Sequence, residues 1–177
     1  KIWPMPDPAN TPNFNPSDYY ECWWGYGEMP NLNYDLNEIN PSENSIKNID
    51  MATPNWEVVN YVLDVGEYWL SEMDLDGFRL DVPNEVPFWF WKLFREKVKS
   101  IKPDAYLVGE LWSNAVDCVN DDYFDAVMNY AYFKDPVMRF FNMRKCNAKT
   151  FDRDLKRGLL SYPTQSTQIM MNLIDSH

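Results

Sequence analysis

Asp76-Gly77-Phe78-Arg79-Leu80-Asp81 is the stretch whose reading decides the fold. Strand side chains alternate between faces, so Phe78 and Leu80 share one face and Gly77, Arg79 and Asp81 the other. An Arg and an Asp on one face of a strand that ought to be buried are costly unless they pair. Their position at the carboxyl end of the strand changes the odds, because ligands bind at that edge in α/β sheets. Ala105-Tyr106-Leu107-Val108-Gly109-Glu110 repeats the design. Tyr106, Val108 and Glu110 share a face that ends in a carboxylate, and Gly109 lets neighbouring backbone come close. A last strand is expected over 168–173, ending in Asn172 and followed by Asp175-Ser176-His177, which holds the chain's only His.

Helices are expected between and around these strands. Val58, Val59, Val62, Val65, Trp69 and Met73 recur at three- and four-residue steps, which predicts a helix over 55–73. Trp91, Phe94, Val98 and Ile101 form a second stripe over 88–101, and Pro103 stops it. A short strand is expected over 125–129, and helices over 135–143 and 149–160. This order predicts parallel strands joined by crossover helices. Residues 1–52 lack helical periodicity. They are punctuated by Pro, Asn and aromatics, as in Trp3-Pro4-Met5-Pro6 and Trp23-Trp24-Gly25-Tyr26-Gly27. This is too aromatic for a linker and reads as an ordered excursion, either packing its own aromatics or facing carbohydrate.

Composition narrows the class. The chain has 177 residues, a formal net charge of −11, 45% hydrophobic and 16% aromatic residues. The aromatics exclude a disordered chain. No stretch approaches the ~18 uninterrupted apolar residues of a membrane span, and no signal peptide is visible. The acidic balance argues against nucleic acid. Cys22, Cys118 and Cys146 are widely spaced and read as thiols, which mildly favours a reducing compartment. Asp121-Asp122 reads as a solvated turn, since calcium needs six to eight oxygens and no loop spacing supplies them. The length suits an ordinary domain but falls short of a whole (β/α)8 barrel, typically about 250 residues.

Each strand-end carboxylate, taken singly, could cap the following helix. Three at one sheet edge favour an active site. Two carboxylates on adjacent strands suit glycosidic chemistry, one ionised at the anomeric carbon and one protonated toward the leaving oxygen. Arg79 favours ionised Asp81, whereas Glu110 has no basic neighbour in sequence and stands beside Leu111 and Trp112. Asp81 is therefore expected as nucleophile and Glu110 as general acid/base, at the ~5–5.5 Å separation of a retaining enzyme.

These residues also carry a resemblance. Gly77-Phe78-Arg79-Leu80-Asp81 resembles the fourth-strand motif of the α-amylase superfamily, glycoside hydrolase family 13. Val108-Gly109-Glu110 resembles its fifth-strand motif, and Asn172-Leu173-Ile174-Asp175-Ser176-His177 its seventh. Met29-Pro30-Asn31-Leu32-Asn33, Asp81-Val82-Pro83-Asn84-Glu85-Val86, Glu110-Leu111-Trp112 and Phe124-Asp125-Ala126-Val127-Met128-Asn129-Tyr130 resemble segments of the neopullulanase, cyclomaltodextrinase and maltogenic amylase subgroup. Pro83 stands where that subgroup has Ala, and Ser113 where it commonly has His. The family's third-strand Asp-Asn-His motif is absent, as is the Asp that follows the seventh-strand His.

The resemblance implies an α/β fold: a partial TIM (β/α)8 barrel, about strands four to seven with their helices, over 55–177, preceded over 1–54 by the end of an irregular domain B. It implies Asp81 and Glu110 as catalytic residues and Arg79 as the group holding Asp81. His177 would bond sugar hydroxyls, and Asn84, Glu85 and Trp112 would line acceptor subsites. The implied activity is retaining hydrolysis of α-1,4, and in some members α-1,6, glucosidic bonds in maltooligosaccharides, cyclodextrins or pullulan. The fragment alone is expected to be inactive. No redox or nucleotide cofactor is expected and no metal ligand is assigned here. Calcium is left to segments of the parent enzyme outside this chain. The expected partners are an α-glucan and either the remainder of the barrel or other copies of the chain, not nucleic acid or membrane. The expected location is the cytoplasm, with secretion left open. The rival reading is a non-catalytic carbohydrate-binding or interaction protein of the same fold.

Overall fold

The computed structural model describes residues 8–36 and 48–176. Trp3-Pro4-Met5-Pro6 and His177 lie outside the described residues. Three parallel strands form the centre: Gly77–Leu80 (β1), Tyr106–Gly109 (β2) and Ala126–Val127 (β3), in the order β1-β2-β3. The register pairs Gly77 with Tyr106 and Leu80 with Gly109. Gly77 has φ +151°, and a Cβ there would lie 2.0 Å from the Tyr106 carbonyl oxygen, so only glycine admits this approach of β1 to β2. At Gly109 the close neighbour is the Phe124 ring, 3.0 Å from a built Cβ, rather than the expected backbone.

The helix expected first runs Trp56–Ser71 (α1). It buries Val59, Gly66 and Leu70 and packs on Phe88–Ile101 (α2), the crossover between β1 and β2. Phe88, Trp89, Phe90, Trp91, Phe94 and Val98 are all buried on α2. They meet Leu80, Leu107, Phe124 and Val127 from the sheet side, which makes α2 the centre of the core. Phe78 turns to the same side and sets its ring edge-on to Phe94. The alternation of Phe78 and Leu80 against Arg79 and Asp81 thus separates core from site.

The amino ends of the strands are tied by Asp125. Its carboxylate accepts from the Leu107 amide at 2.9 Å, Arg95 Nη1 at 2.8 Å and Lys99 Nζ at 2.9 Å. Burial pushes this carboxyl upward, but the Leu107 amide, Lys99 and Arg95 outweigh it and hold Asp125 below the usual carboxylate range.

After β3 the chain is helical earlier than the periodicity suggests. Tyr130–Lys134 and Met138–Asn142 are π-helical turns flanking Asp135–Val137 (α3). Ala148–Ser161 (α4) is capped by Asn147, whose side chain accepts from the Thr150 amide.

The strand expected over 168–173 is not formed as such. Pro163 ends α4 and opens a further helix, Thr164–Ile169 (α5), which takes the first part of that run. Only a single parallel bridge, Met128 to Met171, remains, with the Asn129 amide donating to the Met171 carbonyl at 2.9 Å. The strand expected over 125–129 is likewise cut to two residues plus that bridge.

Within 8–36 the chain makes short 3-10 turns and no longer element. Its end is anchored by Tyr34, whose ring meets Phe90 at 4.7 Å between centroids and whose hydroxyl is pushed up to about 12 by burial. Among the described residues no helix is long and apolar enough to cross a membrane. Cys22, Cys118 and Cys146 are thiols not joined in disulfides.

Candidate active site

The β1–β2 register brings the two strand-end carboxylates side by side. The Glu110 amide donates to the Leu80 carbonyl at 2.9 Å, which extends the ladder one step past Gly109 and places Asp81 next to Glu110. Arg79 stands one position back on the same face. Its Nη1 bonds Asp81, and its Nη2 lies 2.5 Å from Glu110 Oε1. One guanidinium therefore spans both carboxylates. The sequence showed no basic neighbour for Glu110. The parallel register supplies one, because residues that share a row across two strands are remote along the chain.

The environments of the two acids differ. The Glu110 side chain is 1% exposed and the Asp81 side chain 65% exposed. A buried carboxylate is costly without partners. Glu110 has the Arg79 guanidinium and a hydrogen bond from the Val82 amide to Oε2 at 3.3 Å. Val82 achieves this with φ +35° and ψ +58°, a left-handed conformation that is an outlier for a β-branched residue. The turn after it, Pro83–Glu85, is pinned by Trp91 Nε1 donating to the Pro83 carbonyl at 2.7 Å. The core helix α2 thus holds the loop that aims the Val82 amide at Glu110.

Asn84 and Glu85 lie on that turn, and Asn84 Nδ2 donates to Glu85 Oε1 at 3.0 Å. Trp112, two residues past Glu110, is 56% exposed, and its ring meets that of Trp24 at 5.8 Å. Asp81, Glu110 and Arg79 are therefore brought into direct contact, while Asn84, Glu85 and Trp112 lie on the segments that immediately follow the two acids. His177 is outside the described residues. The Val82 amide and Trp24 were missed in the sequence. Nothing local marks Val82, whereas the Trp23-Trp24-Gly25 run lay in the excursion read as either packing its own aromatics or facing carbohydrate. Asp121-Asp122 is a surface turn, with Asp122 paired to Lys92 at 2.9 Å.

Chemically, an exposed carboxyl group beside a buried one, both at the carboxyl ends of parallel strands, can supply the two acids that glycosidic bond cleavage needs. The chain belongs to the alpha-amylase catalytic-domain family, which it matches over residues 2–177. It is 40% identical over 163 residues to a cyclomaltodextrinase of Geobacillus thermopakistaniensis (strain MAS1), covering 89% of this chain and 27% of that protein. It is 46% identical over 127 residues to neopullulanase 2 of Thermoactinomyces vulgaris, covering 72% of this chain and 21% of that protein. Among solved structures, the type III pullulan hydrolase from Thermococcus kodakarensis superposes with a TM-score of 0.74 at 33% identity, over 92% of this chain and 25% of that one. The chain thus spans about a quarter of the length of these relatives.

Proposed function

We propose that this chain carries the nucleophile and the acid/base of a retaining α-glucan hydrolase acting on α-1,4 glucosidic bonds of maltooligosaccharides, cyclodextrins or pullulan, with α-1,6 bonds left open as a further substrate. The observation that carries this reading is the single guanidinium of Arg79 spanning Asp81 and Glu110 at the strand ends. Asp81, open to the site, attacks the anomeric carbon and forms the glycosyl-enzyme. Glu110, at the floor, gives its proton to the leaving oxygen and then takes one from the incoming water. Arg79 orients Asp81 and, through its second nitrogen, fixes the position of Glu110 beside it. His177 bonds sugar hydroxyls, and Asn84, Glu85 and Trp112 meet the leaving-side units.

In this reading β1, β2, β3 and the Met171 bridge correspond to strands four to seven of the barrel. Residues 1–54 close an irregular domain B, and 55–177 belong to the barrel. Electron pairs and protons move only between carboxylates, water and sugar, so no redox or nucleotide cofactor is required, and calcium has no assigned role at these residues. The substrate is neutral, so the acidic surface of the chain does not need to attract it.

The test uses the full-length protein with cyclodextrin, pullulan and maltotriose. Turnover with retained anomeric configuration is expected. D81N and E110Q should each lower kcat by on the order of a thousandfold or more. A fluorinated glucosyl fluoride should label Asp81, read by peptide mass spectrometry. Label on another residue, or product of inverted configuration by NMR, would overturn the assignment.

A further inference from the structure

Trp24 is held half-exposed at the tip of a closed turn. The turn around it is closed by the Trp23 amide donating to the Met29 carbonyl at 2.7 Å, the Met29 amide to the Tyr26 carbonyl at 2.9 Å, and the Tyr20 hydroxyl to the Gly27 carbonyl at 2.6 Å. The Cys22–Pro30 bridge and the Asn31 amide on the Glu21 carbonyl close its base. At the tip, Trp24 has φ +48° and ψ +30°, a left-handed conformation that is costly for a bulky side chain. The outcome is a residue that remains 50% exposed, with its ring set between that of its neighbour Trp23, at 5.9 Å, and that of Trp112, at 5.8 Å. A chain that orders a strained loop in order to leave two indoles half in water gains little by burial. It gains a rigid apolar surface with few rotatable bonds.

The surface has a definite shape and place. The two ring centroids are 5.8 Å apart and the planes are inclined by 54°. Trp112 follows Glu110 by two residues, so the pair continues outward from the acid. The group that an acid protonates is the leaving oxygen, and the sugar attached to it lies on the acid's far side from the nucleophile. Consecutive pyranose rings in an α-1,4 glucan are turned relative to one another. Their C–H faces, weakly positive, fit the negative faces of aromatic rings.

We infer that Trp24 and Trp112 form a two-plane aromatic platform for consecutive leaving-side glucosyl units, with Trp24 binding the second. This rests on the α-glucan hydrolase reading above and adds a residue and a chain-length requirement to it. A merely structural role for Trp24 would weaken binding of short and long substrates alike. The platform discriminates between them.

The test is made on the full-length protein with W24L and W24F. Leu keeps apolar bulk without a π-face, and Phe keeps a π-face, so the comparison survives if removal of the whole side chain disturbs folding. KM and kcat are measured for maltohexaose and for an aryl maltoside whose leaving side is one ring. Maltohexaose binding is measured separately by calorimetry. W24L should raise KM for maltohexaose by about tenfold, the size of one well-made aromatic contact, with a smaller change in kcat. The aryl maltoside should suffer several-fold less, and W24F should recover most of the loss. Equal penalties on both substrates, or maltohexaose affinity unmoved by W24L, would overturn the platform. Binding that depends on Trp24 in a protein with no turnover would support the platform and overturn the hydrolase reading.

Discussion

Arg79 Nη2 lies 2.5 Å from Glu110 Oε1, across the seam between β1 and β2, while its Nη1 holds Asp81. A strand-end arginine thus serves the acid on the neighbouring strand as well as the acid two residues along its own. Glu110 is buried and Arg79 is one-third exposed, so the contact is partly screened. Removing the guanidinium takes a cation from beside a buried carboxyl group that the Val82 amide still holds.

For that reason R79A should impair both chemistry and folding. A kcat loss of on the order of a hundredfold or more is expected, with destabilisation of about 1–3 kcal/mol after allowance for screening. R79K keeps the charge but lacks the planar fork that spans two carboxylates. It should recover stability better than kcat, which urea titration and steady-state kinetics on the full-length protein would separate.

Gly77 should tolerate no side chain. A Cβ would sit 2.0 Å from the Tyr106 carbonyl oxygen on a backbone of φ +151°. Backbone cannot rotate away as a side chain can, so G77A should separate β1 from β2 at the register pair that begins the sheet. A loss of about 3 kcal/mol or more is expected, read as a lowered urea midpoint or as insoluble expression.

Val82→Gly sets two effects against each other. Relief of left-handed strain should gain about 1–2 kcal/mol, and loss of a buried Val side chain should cost about 1.5–3 kcal/mol. Net stability should move by no more than about 1–2 kcal/mol. Activity should fall further than stability suggests, because the freed backbone no longer aims its amide at Glu110. Parallel measurement of urea midpoint and kcat checks the split.

Asp125 gives the fold an acid-side pH dependence. Its carboxyl is held below its ordinary value by the Leu107 amide, Lys99 and Arg95, which outweigh its burial. The folded state therefore binds this proton less readily than the unfolded chain does. The stabilisation is complete above the unfolded carboxyl range near 4 and is lost as pH falls through the lower folded value. D125N should flatten that part of the stability–pH curve below about pH 5. It should also cost about 3 kcal/mol at neutral pH by removing the carboxylate charge from Arg95 and Lys99, which also donate to the neutral carbonyls of Asp121 and Ala105. Urea midpoints between pH 3 and 7 would show both.

Periodicity made the helices α1 and α2 legible to within a residue or two, because apolar positions repeat at the helical step, but Val65, Trp69 and Met73 of the expected first stripe are exposed and Gly66 and Leu70 are buried in their place. The alternation in Phe78-Arg79-Leu80-Asp81 likewise placed Arg79 and Asp81 on one face, since that depends only on the strand period. The 168–173 run misled because a short apolar segment fits a strand or a helix equally, and Pro163 opened α5 there.

The sequence by itself determined that Arg79 and Asp81 share one face of β1 and that Glu110 follows the end of β2, and it carried the motifs that place the chain among the alpha-amylase catalytic domains. Only the tertiary structure decided that Arg79 reaches Glu110, that the Val82 amide turns onto the same carboxylate, and that Trp24 meets Trp112. Each of those contacts joins segments remote along the chain. Their geometry is set by strand register and by the packing of α2 under the sheet, which no local propensity encodes.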